Sequence, residues 1–208
     1  MVDRTLSDPV FNADWAAYYE KTGQRPPRST LIRALDAFNA EGRPEDASAI
    51  DLGCGSGRDT IEILRRRWPV LAVDASQDAF DGLLGRGDLP AGANIETQLS
   101  RYEDMALPLA YLINAGFSLP LCPKEAFPEV WQKIVDALRS GGRFSGQLYG
   151  DRDSWAGRPD LTHLSKDEVL AYLEALDVEY LEEEEEDSLT PRGTPKHWHI
   201  FHIVARKP

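Results

Sequence analysis

The segment that runs from Ala49 to Asp74, AIDLGCGSGRDTIEILRRRWPVLAVD, combines glycines and carboxylates in a pattern that suits a nucleotide. A short apolar run ends in Gly53, Gly55 and Gly57, and a helical pattern and a second apolar run precede Asp74. Glycine has no Cβ, so a turn built from it lets the backbone approach a ligand closely. An acid at the end of the second strand accepts hydrogen bonds from both hydroxyls of a ribose. The segment therefore predicts a strand, a tight turn, a helix and a strand that together bind a nucleoside.

The turn departs from the dinucleotide fingerprint G-x-G-x-x-G in a way that bears on the choice of cofactor. Its third glycine comes one residue early, and Arg58 stands where the fingerprint has glycine. Asp51 and Asp59 add negative charge, which disfavours a pyrophosphate and suits a cation. S-adenosylmethionine (SAM) is a nucleoside with a sulfonium and an amino-acid head, so this loop favours SAM over NAD.

The run DLGCGSG over residues 51–57, with Asp74 placed 21 residues after Gly53 (74 − 53), resembles motif I and the ribose acid of the class I SAM-dependent methyltransferases. The resemblance covers residues from about 28 to 208, and its specific part is Glu45–Ser76. The compact length is also similar to that of small tellurite-resistance-type and thiopurine-type methyltransferases. The resemblance implies an enzyme of class EC 2.1.1 that transfers the methyl group of SAM to a small-molecule acceptor by in-line displacement.

Other functions are open on the residues alone. The simplest alternative interpretation is that the segment is an ordinary strand–helix turn whose glycines are incidental. A non-catalytic protein that binds SAM or a nucleotide, and an NAD-type dehydrogenase domain, are the functional alternatives. A nucleic-acid methyltransferase is disfavoured by the acidic composition and by N-A-G-F at residues 114–117, where base-modifying enzymes carry N/D-P-P-[YFW].

The periodicity of apolar residues predicts strands and helices that alternate up to a fifth strand, followed by a helix and a terminal hairpin. Such alternation favours a parallel sheet, whereas two strands joined by a short loop run antiparallel. The expected fold class is therefore α/β, a Rossmann-like, doubly wound, mostly parallel seven-stranded sheet with an antiparallel C-terminal strand. Residues 1–208 form one methyltransferase domain in this prediction, with 1–28 as an N-terminal arm or lid and 29–208 as the SAM-binding core.

Cofactor ligands are expected where strands end, because open α/β sheets bind ligands at the carboxyl ends of their strands. The resemblance assigns the adenine contact to an acid after the third strand, for which Asp104 is preferred over Glu103; solvated loop carboxylates are the alternative. It also implies that Asn114, at the end of the fourth strand, holds the amino group of the cofactor through its carbonyl, with simple turn chemistry as the alternative. The predicted cofactor-binding residues are Asp51, Gly53, Cys54, Gly55, Gly57, Asp74, Ala75, Ser76, Glu103, Asp104, Asn114 and Ala115.

Aromatic residues supply most of the candidates for the methyl acceptor. Rings in the arm could cover the cofactor, because an aromatic face attracts a sulfonium by about 0.5–2 kcal/mol, or they could simply pack the arm onto the core. Arg28 suits a carboxylate of cofactor or substrate, and the loop 149–155 is expected to form a substrate wall unless it is a charged surface loop. The predicted substrate residues are Trp15, Tyr18, Tyr19, Arg28, Phe117, Tyr149 and Trp155. No residue is assigned as catalytic acid or base.

Composition restricts the partners. The 208 residues carry a net charge of −12, which opposes binding to nucleic acid or to an anionic membrane and favours a small-molecule substrate. No apolar run reaches the roughly 18 residues of a membrane span. Only two cysteines, Cys54 and Cys122, are present, so a disulfide framework is not expected and a reducing cytoplasm is. A monomer or a homodimer is expected.

The C-terminal histidines and acids invite a metal site, but their pattern predicts none. On one strand His197 and His199 share a face while His202 lies on the other, and no third ligand is obvious. The acidic run Glu182–Asp187 is expected to be the solvated face of an edge strand, which discourages pairing with other chains.

Overall fold

The computed structural model describes residues 15–208, so residues 1–14 of the predicted arm lie outside the described part. The helices are α1 Trp15–Thr22, α2 Ser29–Glu41, α3 Thr60–Arg65, α4 Gln77–Leu84, α5 Phe127–Ala137 and α6 Lys166–Leu173. The strands are β1 Ala49–Leu52, β2 Val70–Asp74, β3 Ile95–Leu99, β4 Ala110–Ala115, β5 Leu138–Gly150, β6 His163–Leu164, β7 Asp177–Leu189 and β8 Pro195–Arg206.

These strands form one sheet in the order β3-β2-β1-β4-β5-β8-β7, with β6 paired to the end of β5. Strands β1 to β5 run parallel, and β8 runs antiparallel to both β5 and β7. The predicted fold class is therefore confirmed. The eighth strand is the two-residue β6, which is too short to leave a period in the sequence.

Helices cover both faces of the sheet, as a doubly wound fold requires. Side chains of α5 such as Phe127 and Trp131 pack with Phe144 and Phe201 on one side. Side chains of α2, α3 and α4 pack against the other side, for example Leu35, Ile61 and Leu83. Each such buried side chain stabilises the fold by roughly 1.5–3 kcal/mol. The central strands β1, β2 and β4 are mostly apolar because they are covered on both faces.

The hairpin of β7 and β8 is longer than the sheet that supports it. Strand β8 pairs with β5 from Arg206 to Ile200, while residues 195–199 pair only with β7. The free end of the hairpin therefore projects past the carboxyl end of β5. This extension places hairpin side chains beside the loops where ligands of such sheets bind. In the described ranges no helix has both the length and the apolar character needed to cross a membrane.

Candidate functional site

The glycine turn after β1 adopts a backbone that requires glycine. Gly53, Gly55 and Gly57 have φ values of +65°, +50° and +85°, a region that residues with a Cβ rarely adopt. A Cβ on Gly57 would also overlap Cδ1 of Leu83. The amides of Gly53 and Cys54 donate to the carbonyl of Val73 at 2.8 and 3.1 Å, which ties the turn to β2. The turn is thus a rigid cradle at the carboxyl ends of two neighbouring strands.

Asp74 ends β2 beside this cradle, and backbone amides orient its carboxylate. Oδ2 accepts from the amide of Gly55 and Oδ1 from the amide of Ser76, each at 2.9 Å. Burial raises the pKa of Asp74, and the backbone hydrogen bonds oppose that rise. Each oxygen keeps a second lone pair, because a carboxylate has about four acceptor sites. Asp74 is therefore held ready to accept hydroxyl donors from the cleft.

A buried polar network lies beneath the turn and contains two of the predicted ligands. Asp51 is 2% exposed and accepts from Thr60 Oγ1 at 2.5 Å and from Asn114 Nδ2 at 2.8 Å. Asn114 Oδ1 in turn accepts from Ser145 Oγ at 2.8 Å. Burial first, and the charge of Asp59 second, raise the pKa of Asp51 to about 7. The side chains of Asp51 and Asn114 thus hold β1, α3 and β4 together and do not face the cleft.

A cleft of about 1640 Å³ opens over the carboxyl edge of the sheet. Seven of the predicted cofactor residues line it, namely Gly53, Cys54, Gly55, Asp74, Ala75, Ser76 and Glu103. The five that do not are Asp51, Gly57, Asp104, Asn114 and Ala115. The preference for Asp104 over Glu103 is reversed, because Asp104 is exposed outside the cleft. Gly57 is turned towards Leu83, and Ala115 is buried in β4.

Helix α1 packs directly on the glycine turn. Cε1 of Tyr19 lies 2.9 Å from the position of a Cβ on Gly55, so the ring covers the turn. Arg86 Nη1 donates to the carbonyls of Gly23 and Ser56 at 2.7 and 3.2 Å, which fastens the end of the arm to the same turn. Three residues of this helix line the cleft, where the predicted contact with a substrate would place them: Trp15, Tyr18 and Tyr19.

Arg28 and Phe117 meet at the middle of the cleft. The amide of Arg28 donates to Asp59 Oδ1 at 2.9 Å, and Nη1 lies 3.3 Å from Asp59 Oδ2. The carboxylate that Arg28 binds in this structure is therefore the protein's own Asp59. The guanidinium also lies 4.9 Å from the ring centre of Phe117. Phe117 itself has φ +57°, a strained value for a non-glycine residue, and its amide donates to Gln147 Oε1.

The far end of the cleft is walled by aromatic rings. Tyr149 and Trp155, both predicted, are joined there by Trp198 from the projecting part of β8. The ring of Trp198 lies 5.8 Å from that of Trp155 and 6.0 Å from that of Tyr149. The predicted substrate wall is thus an assembled aromatic surface that faces the cleft.

A buried ion pair supports this wall from behind. The side chains of Lys196 and Asp153 are fully buried and hydrogen-bonded to each other. Lys196 Nζ lies 4.1 Å from the ring centre of Trp198, 4.3 Å from that of Trp155 and 5.2 Å from that of Tyr149. Burial lowers the pKa of Lys196, and the hydrogen bond and charge of Asp153 oppose that shift. The cation therefore joins the hairpin to the loop after β5.

The acidic run of β7 lies at the edge of the sheet and is partly or fully exposed on both of its faces, as predicted. Glu183 and Glu185 lie 2.7 and 2.8 Å from Arg152 Nη2 on the outer side. Glu184 and Glu186, on the other face, also line the cleft. The ring nitrogens of the three histidines contact carboxylates: His197 with Asp187 and Glu185, His199 with Glu183, and His202 with Glu184.

Sequence reasoning missed Tyr102, Ser118 and Trp198, which line the cleft. Ser118 Oγ donates to the carbonyl of Leu52 at 2.5 Å, and a Cβ on Gly53 would overlap the Ser118 side chain. Tyr102 directly precedes the predicted residue Glu103, so its place in the same loop could have identified it as a cleft residue. Trp198 and Ile200 are two residues apart and so share one face of β8, and this alternation in the sequence could have identified Trp198.

Comparisons with known proteins find a matching family and a similar curated protein. A family described as "Methyltransferase domain" matches residues 49–142. A probable cobalt-precorrin-6B C(15)-methyltransferase (decarboxylating) from Methanococcus vannielii is 39% identical over 74 residues, or 36% of this chain. The match spans only 41% of that relative's length.

Solved structures share the fold at low sequence identity. TehB from Haemophilus influenzae superposes with a TM-score of 0.73 at 16% identity, over 93% of this chain and 67% of TehB. Magnesium protoporphyrin IX methyltransferase (ChlM) from Synechocystis PCC 6803 with bound SAM gives a TM-score of 0.70 at 12% identity, over 100% of this chain and 98% of ChlM.

Proposed function

Because this chain carries a class I SAM-dependent methyltransferase domain, we propose that it transfers the methyl group of SAM to a small-molecule acceptor. The domain match covers the glycine turn and Asp74, and the fold extends the likeness over the remainder of the described chain. The fold that the sequence predicted is confirmed, and a methyltransferase-domain family matches residues 49–142. The neighbours solved with bound SAM and SAH support the predicted cofactor class. The reaction and its acceptor are the proposal.

The fit of Asp74 to a ribose is the observation that carries this function. Its carboxylate is oriented by the amides of Gly55 and Ser76 and lines the same cleft as the glycine turn. The residues that would hold the nucleoside are Asp74 for the ribose and Glu103 with Tyr102 beside the base.

The chain's own residues would contribute position and shielding rather than bond-making. The cofactor supplies the activated methyl group, and in-line displacement needs the acceptor held along one axis. Orientation of this kind provides up to roughly 7–11 kcal/mol in favourable intramolecular cases. Phe117 and Arg28 stand between the two ends of the cleft, where they would fix the approach of the acceptor and exclude water.

We also propose that residues 1–28 act as a lid over a single catalytic domain. The support comes from the described part, residues 15–28, in which Tyr19 covers Gly55 and Trp15 and Tyr18 line the cleft. A lid that excludes water would protect the methyl group before transfer.

The remaining expectations on partners rest on charge. With a net charge of −12, we propose that the enzyme acts in the cytoplasm on a small molecule, without nucleic acid or membrane, as a monomer or homodimer. Light scattering of the purified chain measures the assembly state, and a tetramer or larger assembly would contradict it.

Methyl transfer is tested by incubating the protein with isotopically labelled SAM and a metabolite extract, followed by mass spectrometry. Transfer of the label to a small molecule, lost in an Asp74→Ala variant, is the expected result. A protein that binds S-adenosylhomocysteine (SAH) but labels nothing in any extract would contradict catalysis and leave a SAM-binding protein.

A further inference from the structure

We propose that the acceptor is a flat aromatic molecule that carries a protonated amine. This inference rests on the proposed function, because it assigns the second ligand of the same cleft. It follows from three features of the far end: the space there, the aromatic wall and the carboxylates beside that wall.

The cleft is large enough for two ligands. Its volume of about 1640 Å³ exceeds the roughly 300–1,000 Å³ that one drug-sized ligand needs. The glycine turn and Asp74 define one end, and the aromatic wall with the projecting hairpin defines the other. Phe117, in its strained conformation, lies 6.2 Å from the ring of Tyr149 and so links the two ends.

The aromatic wall is rigid before any ligand arrives. Asp153 accepts the amide of Trp155 at 2.9 Å and also pairs with Lys196, whose ammonium lies against all three rings of the wall. A wall that is already ordered loses little side-chain entropy on binding, and its area favours a flat ring that stacks or packs edge-on. The buried cation behind the rings is neutralised by Asp153, so the wall itself selects for shape.

The charge preference comes from β7. Glu184 and Glu186 alternate on one face of the strand, and both line the cleft. Glu184 is held by His202 at 2.8 Å, and its side chain is 38% exposed. Between them they present two carboxylates to the space in front of the aromatic wall.

Two arginines that line the described part of the cleft are already paired with carboxylates of the protein. Arg158 is paired with Asp160 at 2.6 Å, and Arg28 with Asp59 at 3.3 Å. An acceptor with a carboxylate would therefore face Glu184 and Glu186 without a free cation among the arginines named here, whereas an amine would find two acceptors.

The test compares probes that share a ring and differ in charge. Tryptamine, indole-3-acetate and hexylamine are titrated calorimetrically into the protein saturated with SAH. We expect tryptamine to bind at least about fivefold more tightly than indole-3-acetate, because one partly exposed ion pair contributes about 1 kcal/mol. We also expect tryptamine to bind more tightly than hexylamine, which lacks the ring. Glu184→Gln and Glu186→Gln are each expected to narrow the ratio of tryptamine to indole-3-acetate.

Glu182→Gln is the matched control, because Glu182 lies on the same strand and the same face but does not line the cleft. It removes the same charge and should leave the ratio unchanged. Equal or tighter binding of indole-3-acetate, or equal narrowing by Glu182→Gln, overturns the inference. The SAH titration that precedes each experiment separates the two proposals: SAH binding without a preference for tryptamine refutes only the acceptor class, and no SAH binding refutes the function itself.

Discussion

At the scale of single residues, Asp74 carries the cofactor site. Replacing it with alanine removes a charge-assisted contact to a ribose, and we expect SAH affinity to fall by about 1.5–3 kcal/mol, roughly 10- to 150-fold. Calorimetric titration measures the loss. Asp78→Ala is the control, because Asp78 is an exposed carboxylate on the same cleft. Unchanged affinity in Asp74→Ala would show that another residue holds the ribose.

Asp51 has a different role, and pH reveals it. Its folded-state pKa of about 7 lies above the ordinary value of 3.8, so the folded protein retains a proton that the unfolded chain releases. The stability this provides is fully present below about pH 3.8 and is lost as pH rises to about 7. The free energy of unfolding of the parent, taken relative to that of Asp51→Asn, should therefore fall by on the order of 1.4 kcal/mol for each pH unit in this window. Denaturant titrations at several pH values measure it, and a constant difference would contradict a raised pKa.

The sequence predicted which residue types lie near the site better than it predicted where their side chains point. Asp51 and Asn114 were predicted to bind the cofactor, but no pattern tells whether a strand-end side chain points to solvent or beneath a turn. Glu103 and Asp104 are adjacent, and only the loop conformation decides which of them faces the cleft.

At the scale of elements, the aromatic wall depends on the junction between the β7–β8 hairpin and the loop after β5. Lys196→Met removes the lysine that pairs with the buried Asp153 and leaves His163, at 3.7 Å, as its titratable neighbour, so we expect a loss of up to about 3–5 kcal/mol of stability. Lys196→Met combined with Asp153→Asn removes the charge and should recover a large part of that loss. Thermal and denaturant unfolding measure both. A single variant as stable as the parent would show that the pair does not hold the junction.

The arm offers a second prediction for an element. Helix α1 lies on the turn that would hold the cofactor, so bound ligand should stabilise it, because lids belong to the less stable parts of a fold. Amide hydrogen exchange of residues 15–28 should slow when SAH is added, while exchange of β4 stays unchanged. Equal and strong protection in both states would mean that Trp15, Tyr18 and Tyr19 are ordinary core.

The order of the elements was predictable because alternating strands and helices leave clear apolar periods. The projection of the hairpin past β5 was not, since it depends on where the pairing of β8 with β5 stops. That register carries Trp198, Glu184 and Glu186 into the cleft.

At the scale of the whole molecule, the fold and the cofactor class followed from the sequence, whereas the acceptor end did not. The glycine turn and Asp74 lie within one short segment, so local spacing reveals them. The acceptor end combines α1, the loops after β4 and β5, and the hairpin, which only the folded sheet brings together.

The most direct test of the account is the identity of the nucleotide that binds. Purified protein is titrated calorimetrically with SAH and, separately, with NAD, and Asp74→Ala is titrated alongside. The account predicts saturable binding of SAH with one site per chain, weakened in Asp74→Ala, and no heat from NAD beyond dilution. Binding of NAD without binding of SAH would contradict it.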